Sequence, residues 1–295
     1  MSSLRVSRFV TAAATCVALG GCGGGAALMH PAHALAPNHT TLGGGVSSQF
    51  VLGNAADQID SARATMNDAS VLPNEEARYV EGALAQVLLG PGLAPWVGAR
   101  AGLGYTSDAG LTYSGRALRL DGRHAFEMDD VALSAGLGAS YVMKRPGHDA
   151  PSSAPGGSSE AVPGLDAGDV GGLGIDVPLI AGWRSQAELL QIWGGVRGGY
   201  ERLRGNVLLS IDPALQPGDV EEDPLEAERY YAVGVIGLAV TIHPVVIALE
   251  VDGGYQHGEG TLRRPTGGPT LRSVGGTVDG LTLTPTAAVI GRLWD

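Results

Sequence analysis

The sequence predicts an all-β chain, an antiparallel transmembrane β-barrel of about eight strands, or ten if an N-terminal pair joins, preceded by a short helical segment. Three observations carry this. From Leu93 onward, apolar residues recur at every second position, the period of a strand with one apolar face. The connections between the alternating segments are long at one end of the molecule and short at the other. The polar face is built of Gly, Ser, Thr and single charges, whereas a solvated face should hold many Lys and Glu; Lys144 is the only lysine of 295 residues.

The chain opens with Arg5 and Arg8, an apolar run from Phe9 to Leu19, and two glycines before Cys22. A basic region, an apolar region of this length and small residues at a cut site form a secretory leader, here residues 1–21. Leu19-Gly20-Gly21-Cys22 resembles the lipobox of bacterial lipoproteins. The resemblance implies cleavage before Cys22, a diacylated Cys22 thiol and membrane lipid as a partner. Cys16 leaves with the leader, so the mature chain keeps one cysteine and has no intramolecular disulfide despite an oxidising compartment.

Residues 22–53 read as a tether with a possible extra strand. The stretch 23–39 is the tether, and its histidines (His30, His33, His39) match no metal-site spacing. Thr40–Val51 is the candidate strand. Residues 54–92 read as helical. A polar helix covers Asn54–Asn67. A second helix opens at Asn74-Glu75-Glu76, an N-cap residue followed by carboxylates in the first turn. Ala77, Val80, Ala83, Leu84, Val87 and Leu88 then recur at helical spacing until Gly90-Pro91 stops the run. That apolar face belongs on a core or on a membrane surface.

Residues 93–295 form the barrel. Its segments are 93–105, 110–121, 127–144, 169–185, 187–203, 226–242, 245–258 and 278–294. Most exceed a globular strand and suit a tilted membrane strand. The segment 110–121 fits less cleanly, because Arg116 and Arg119 fall on opposite faces. The long connections 145–168, 204–225 and 259–277 share one end, and the other end has only short ones, such as His243-Pro244. Tyr105, Tyr141, Trp183, Tyr200 and Tyr255 fall near segment ends, where interfacial belts sit. Two other shapes fit parts of the pattern. A soluble sandwich or lipocalin-like barrel would also alternate. A membrane helix could cover Tyr230–Val251, although His243-Pro244 interrupts it.

Function is less legible. Losing Arg5 and Arg8 takes the formal charge from −11 to −13, which excludes nucleic acid as a partner. A small barrel has an interior just wide enough for side chains. Arg100, Asp176, Arg184, Arg197, Glu201, Glu250, Asp252 and Arg292 are the charges expected to point into it and pair. The acidic stretch 212–228 lacks the spaced pattern of a calcium loop, and 145–168 is a Pro-, Ser- and Gly-rich loop. His257 with Asp252 and Glu259 is the one cluster suited to hydrolysis, and no hydrolase motif accompanies it. No cofactor is implied.

From Leu93 the chain resembles small outer-membrane β-barrel proteins. With the lipobox, the resemblance implies a Gram-negative outer-membrane location and a lipid at the periplasmic leaflet. Gly23 agrees, since an Asp there would suggest inner-membrane retention. The role this implies is structural or surface interaction, with a surface or envelope protein as a possible partner. A small-solute pore, a ligand-binding barrel, a soluble lipid-anchored β-domain and a barrel hydrolase are the alternatives.

Overall fold

The computed structural model describes residues 27–29, 31–67, 76–143, 165–166, 169–209, 221–265 and 271–293. The leader, Cys22, His30, Trp294-Asp295, most of 145–168 and the part 212–220 of the acidic stretch lie outside these residues.

The order is β1 (Thr40–Leu52), α1 (Asn54–Asn67), α2 (Glu76–Leu89), β2 (Gly92–Gly104), β3 (Ser107–Tyr113), β4 (Ala117–Met128) and β5 (Val131–Val142). It continues with β6 (Leu165–Asp166), β7 (Gly171–Arg184), β8 (Leu190–Leu209), β9 (Glu221–Ile242), β10 (Val245–Pro265) and β11 (Leu271–Arg292). The two-residue β6 only adds to the end of β8. Each of the other ten strands pairs antiparallel with the next in the chain, and β11 returns to β1, from Thr41 opposite Arg292 to Leu52 opposite Leu281. The sheet is therefore a closed ten-stranded barrel without free edges.

The count of eight becomes ten for two reasons. Thr40–Leu52 is a wall strand. The segment 110–121 is two strands joined at residues 114–116, with Gly115 at φ 73°. This split moves the 105–106 turn to the end opposite the long connections. The tight turns 105–106, 129–130, 185–189 and 243–244 then share one end with Thr40 and Arg292. The helices and all the longer connections share the other. Tyr230–Val251 is a hairpin, and no helix among the described residues is long and apolar enough to cross a membrane.

The polarity of the wall is inverted. On β10, Ile247, Leu249 and Val251 face outward and are exposed, while Glu250 and Asp252, on the alternate positions, are 1% and 4% exposed. On β11, Leu281, Leu283 and Val289 face outward and Thr282, Thr284 and Thr286 inward. Only a solvent of hydrocarbon makes this arrangement stable. Exposed Tyr105 and Trp183 mark the tight-turn rim of the apolar band, and Tyr141, Tyr230 and Tyr255 mark the other. From Val245 to Tyr255, at about 3.3 Å per residue and a tilt of about 40°, the band is about 25 Å tall, one hydrocarbon thickness.

Strands β8 to β11 run on past that rim, and there the faces exchange roles. On β10, His257, Glu259 and Arg263 now face out, while Gly258, Gly260 and Leu262 face in. The inner face turns apolar because α1 and α2 fill this end. Tyr79, Val80, Ala83, Leu84, Leu88 and Leu89 of α2 are buried against Leu203, Val207, Leu225, Leu262 and Val278. Wall glycines make the room: a methyl on Gly260 would stand 2.7 Å from Leu84, and one on Gly258 as close to Leu88. Each buried Leu of this plug contributes roughly 1.5–3 kcal/mol.

The tight-turn end is filled differently. Residues 27–29 and 31–35, read from sequence as part of a tether, lie inside the barrel. Ala27, Leu28, Met29 and Ala32 pack on Trp96, Ile180, Trp193, Val235 and Val246.

Candidate functional site in the lumen

Between the two plugs lies a band of charge. Its first half hangs on β4. The Arg119 guanidinium donates two bonds to Asp176, at 2.8 and 2.7 Å, and a third to Asp121 at 2.6 Å. Arg123 makes a fork to Asp108, at 2.8 and 2.9 Å. Arg100 of β2 bridges Asp108 and Asp121. Three guanidiniums and three carboxylates thus interlock across β2, β3, β4 and β7. Alternate positions of β4 supply Arg119, Asp121 and Arg123, all on the inward face of one strand.

The second half lies on β8 to β10. Arg197 stands 3.6 Å from Asp252 and 5.6 Å from the Tyr231 ring centroid. Arg229 donates to Glu201 and, at 3.1 Å, to Gln256. Gln256 in turn donates to Thr282 at 2.6 Å. Burying this many charges is tolerable because each finds an opposite charge or a hydrogen bond.

The charged wall also grips the N-terminal segment, through backbone atoms. Glu250 accepts the Met29 N–H at 3.0 and 3.1 Å, and the Trp193 indole N–H at 2.8 Å. Glu127 accepts the Ala34 N–H and Asp108 the Leu35 N–H, both at 3.0 Å. Arg123 donates to the carbonyls of Pro31 and His33. His33 is buried, and that burial first, then the nearby Arg184 charge, holds its ring below the ordinary histidine range.

Of the eight charges the sequence singled out, Arg100, Asp176, Arg197, Glu201, Glu250 and Asp252 lie in these groups. Arg184 and Arg292 do not belong to the band. They sit at the tight-turn rim and share Glu188, at 3.4 and 3.1 Å. Sequence reasoning missed Asp108, Arg119, Asp121, Arg123 and Arg229. The cluster proposed around His257 is also rearranged. Asp252 points into the lumen, whereas His257 faces out with Asp279 at 2.7 Å and Glu259 at 3.4 Å. Tyr255 donates to the same Asp279 carboxylate. Strand alternation separates Asp252 from His257, five residues apart on opposite faces.

No family model and no curated protein sequence matches the chain. Among solved structures it is similar to Neisserial surface protein A, at 8% identity over 86% of this chain and 97% of that one, with a TM-score of 0.28. The translocator domain of the autotransporter NalP from Neisseria meningitidis is similar at 11% identity over 98% and 95%, with a TM-score of 0.34. The Ralstonia pickettii toluene transporter TbuX is similar at 13% over 94% and 98%, with a TM-score of 0.31. Likenesses this distant carry no argument about role. The closed sheet, the apolar band and the inverted wall make this chain an outer-membrane β-barrel protein.

Proposed function

We propose that this barrel is a closed membrane body with a structural or surface-interaction role, held a second time by a lipid on Cys22. The observation that carries the reading is a lumen filled at three levels: a helical plug, a charged band and the N-terminal segment. A conducting pore needs a continuous aqueous path, and at the level of α2 the lumen holds Tyr79, Leu84 and Leu88 packed against the wall. The extended ends of β8 to β11 support a surface role, since they lift a polar collar of Arg202, Glu226, Glu228 and Glu259 above the apolar band.

Two measurements test this. Purified protein in planar bilayers should give no large, stable conductance steps; such steps would defeat the closed reading. In cell fractionation, wild type should take up labelled fatty acid and Cys22→Ala should not, yet any mature Cys22→Ala barrel should stay in the membrane fraction. Its recovery as a stable soluble protein would show that the lipid is the only anchor.

A further inference from the structure

On the outward face, between the two aromatic rims, one polar pair faces the lipid. Ser107 of β3 stands opposite His124 of β4, and strand alternation turns both outward, since Asp108 and Arg123 beside them are buried. Among the described residues, His124 is the one outward side chain between the rims with an ionisable group other than a tyrosine. An ionisable residue within the membrane is costly, and where one persists it marks function together with its partner.

The backbone brings the two side chains together. Ala125 donates its N–H to the Thr106 carbonyl at 2.8 Å. Ser107 and His124 are therefore a non-hydrogen-bonded pair, the kind whose side chains come closest. Ser107 Oγ lies 2.9 Å from His124 Nδ1 and 3.2 Å from the Tyr105 carbonyl oxygen. With the ring proton on Nε2, Nδ1 is free to accept the hydroxyl proton. Phe126 meets the His124 ring edge-on, 4.8 Å between centroids. The turn that presents Ser107 is strained. Tyr105 and Thr106 have φ of 50° and 51°, uncommon for any residue with a β-carbon and more so for a β-branched one. Strain of this kind collects at active sites.

Beside the pair the wall is low. The next outward row toward the membrane centre is Ala101, Ala109 and Gly122, and Ala135 adjoins His124. Nothing lies within 4 Å of a methyl added at Gly122. Exposed Leu120 and Leu137 border this floor. The result is a shallow apolar trough that starts at Ser107, two residues from the rim at Tyr105, and runs inward. An acyl chain of the adjoining leaflet runs the same way, with its ester at the polar boundary and its tail toward the centre.

We propose that Ser107 and His124 are a catalytic pair that hydrolyses the acyl ester of a phospholipid in the leaflet at the tight-turn rim. His124 Nδ1 takes the Ser107 hydroxyl proton as Oγ bonds to the ester carbonyl carbon. The bond from that carbon to the glycerol oxygen breaks, and the departing oxygen takes the proton from His124. Water then adds to the acyl-serine and gives a proton to His124. Ser107 Oγ leaves, recovers that proton, and a fatty acid is released. Serine is thus the nucleophile and histidine the base that activates it. The activity goes beyond a structural role and needs neither that role nor a lipid on Cys22.

The test uses the purified full-length protein in phosphatidylethanolamine vesicles with labelled acyl chains. It should release fatty acid and leave lysophospholipid. Ser107→Ala and His124→Ala should each lower release about a hundredfold or more. Both positions face lipid, so alanine suits the wall, and heat-modifiable gel migration checks that the barrels formed. An alkyl fluorophosphonate needs no variant. Ser107 Oγ should displace its fluoride and carry the phosphonate in a mass spectrum. Ser48, on the outward side of β1 opposite Leu93, is the internal control and should stay unmodified. Three results would overturn the proposal: wild-type release no faster than that of Ser107→Ala, Ser107 labelled no more than Ser48, or labelling and release undiminished in His124→Ala.

Discussion

Gly82→Ala sets two effects of opposite sign against each other in the helical plug. Gly82 lies inside α2, where alanine is a better helix former by up to about 1 kcal/mol. It also lies at the crossing of the two helices. A methyl there would overlap the Ala62 methyl and stand 2.5 Å from the Gln58 carbonyl oxygen of α1. That oxygen is backbone, and α1 is itself pinned to the wall: Gln58 donates to the Thr277 carbonyl at 3.0 Å, and Ala55 meets Gly280. The helices must move apart, and overpacking of this kind costs about 1–3 kcal/mol, occasionally more. The clash outweighs the propensity gain, leaving a net loss of about 1–2 kcal/mol. Amide hydrogen exchange reads it directly: protection across α1 and α2 should fall by roughly five- to thirtyfold. Gly122→Ala is the control, since nothing lies within 4 Å of the methyl it adds. Equal or slower exchange in Gly82→Ala would refute the close helix crossing.

Asp108→Ala should cost about 3–5 kcal/mol in denaturant unfolding, because it removes the carboxylate that the buried Arg123 forks to and one of the two that Arg100 bridges; a loss under 1 kcal/mol would mean the charged band is solvated. Leu249→Arg, on the outward face midway up β10, should cost about 2–4 kcal/mol in lipid, and tolerance there would argue against an apolar surround. The N-terminal segment should loosen as pH falls. The His33 ring is held below its free range when docked, so the released segment binds more protons, and docking weakens as pH drops below about 6.5. Glu127 and Glu188 oppose that trend and Arg184 and Arg123 reinforce it. Proteolysis of residues 27–37 at pH 7.5 and pH 5 measures the change, and His33→Phe should abolish it.

The outward face was legible because hydrocarbon imposes one rule, an apolar residue at every second position, and Ile247, Leu249 and Val251 obey it. The ends of the long strands were not. Past Tyr255 the same alternation continues with its meaning exchanged, so Glu259 outside and Leu262 inside read as a loop. The charged band was legible where strand parity was right, as at Glu250 and Asp252. It failed at β4, where a segment carried through Ser114-Gly115 put Arg119 on an undefined face; that Ser-Gly pair was the available turn signal. Asp108 was hidden in a supposed connection. Among residues 27–29 and 31–35 the polar contacts of the wall go to backbone atoms, which side-chain pattern cannot report.

The contacts of that N-terminal segment come from both halves of the meander. Asp108 and Arg123 belong to β3 and β4, while Glu250 lies on β10, and the two groups are brought round one axis only when β11 meets β1. A chain still lacking its last hairpin offers Leu35 a partner and Met29 none. The Met29 contact to Glu250 therefore needs the last hairpin in place. Docking of the segment reports that assembly is finished, and exposure of residues 27–37 to protease is a marker for barrels that have stopped short.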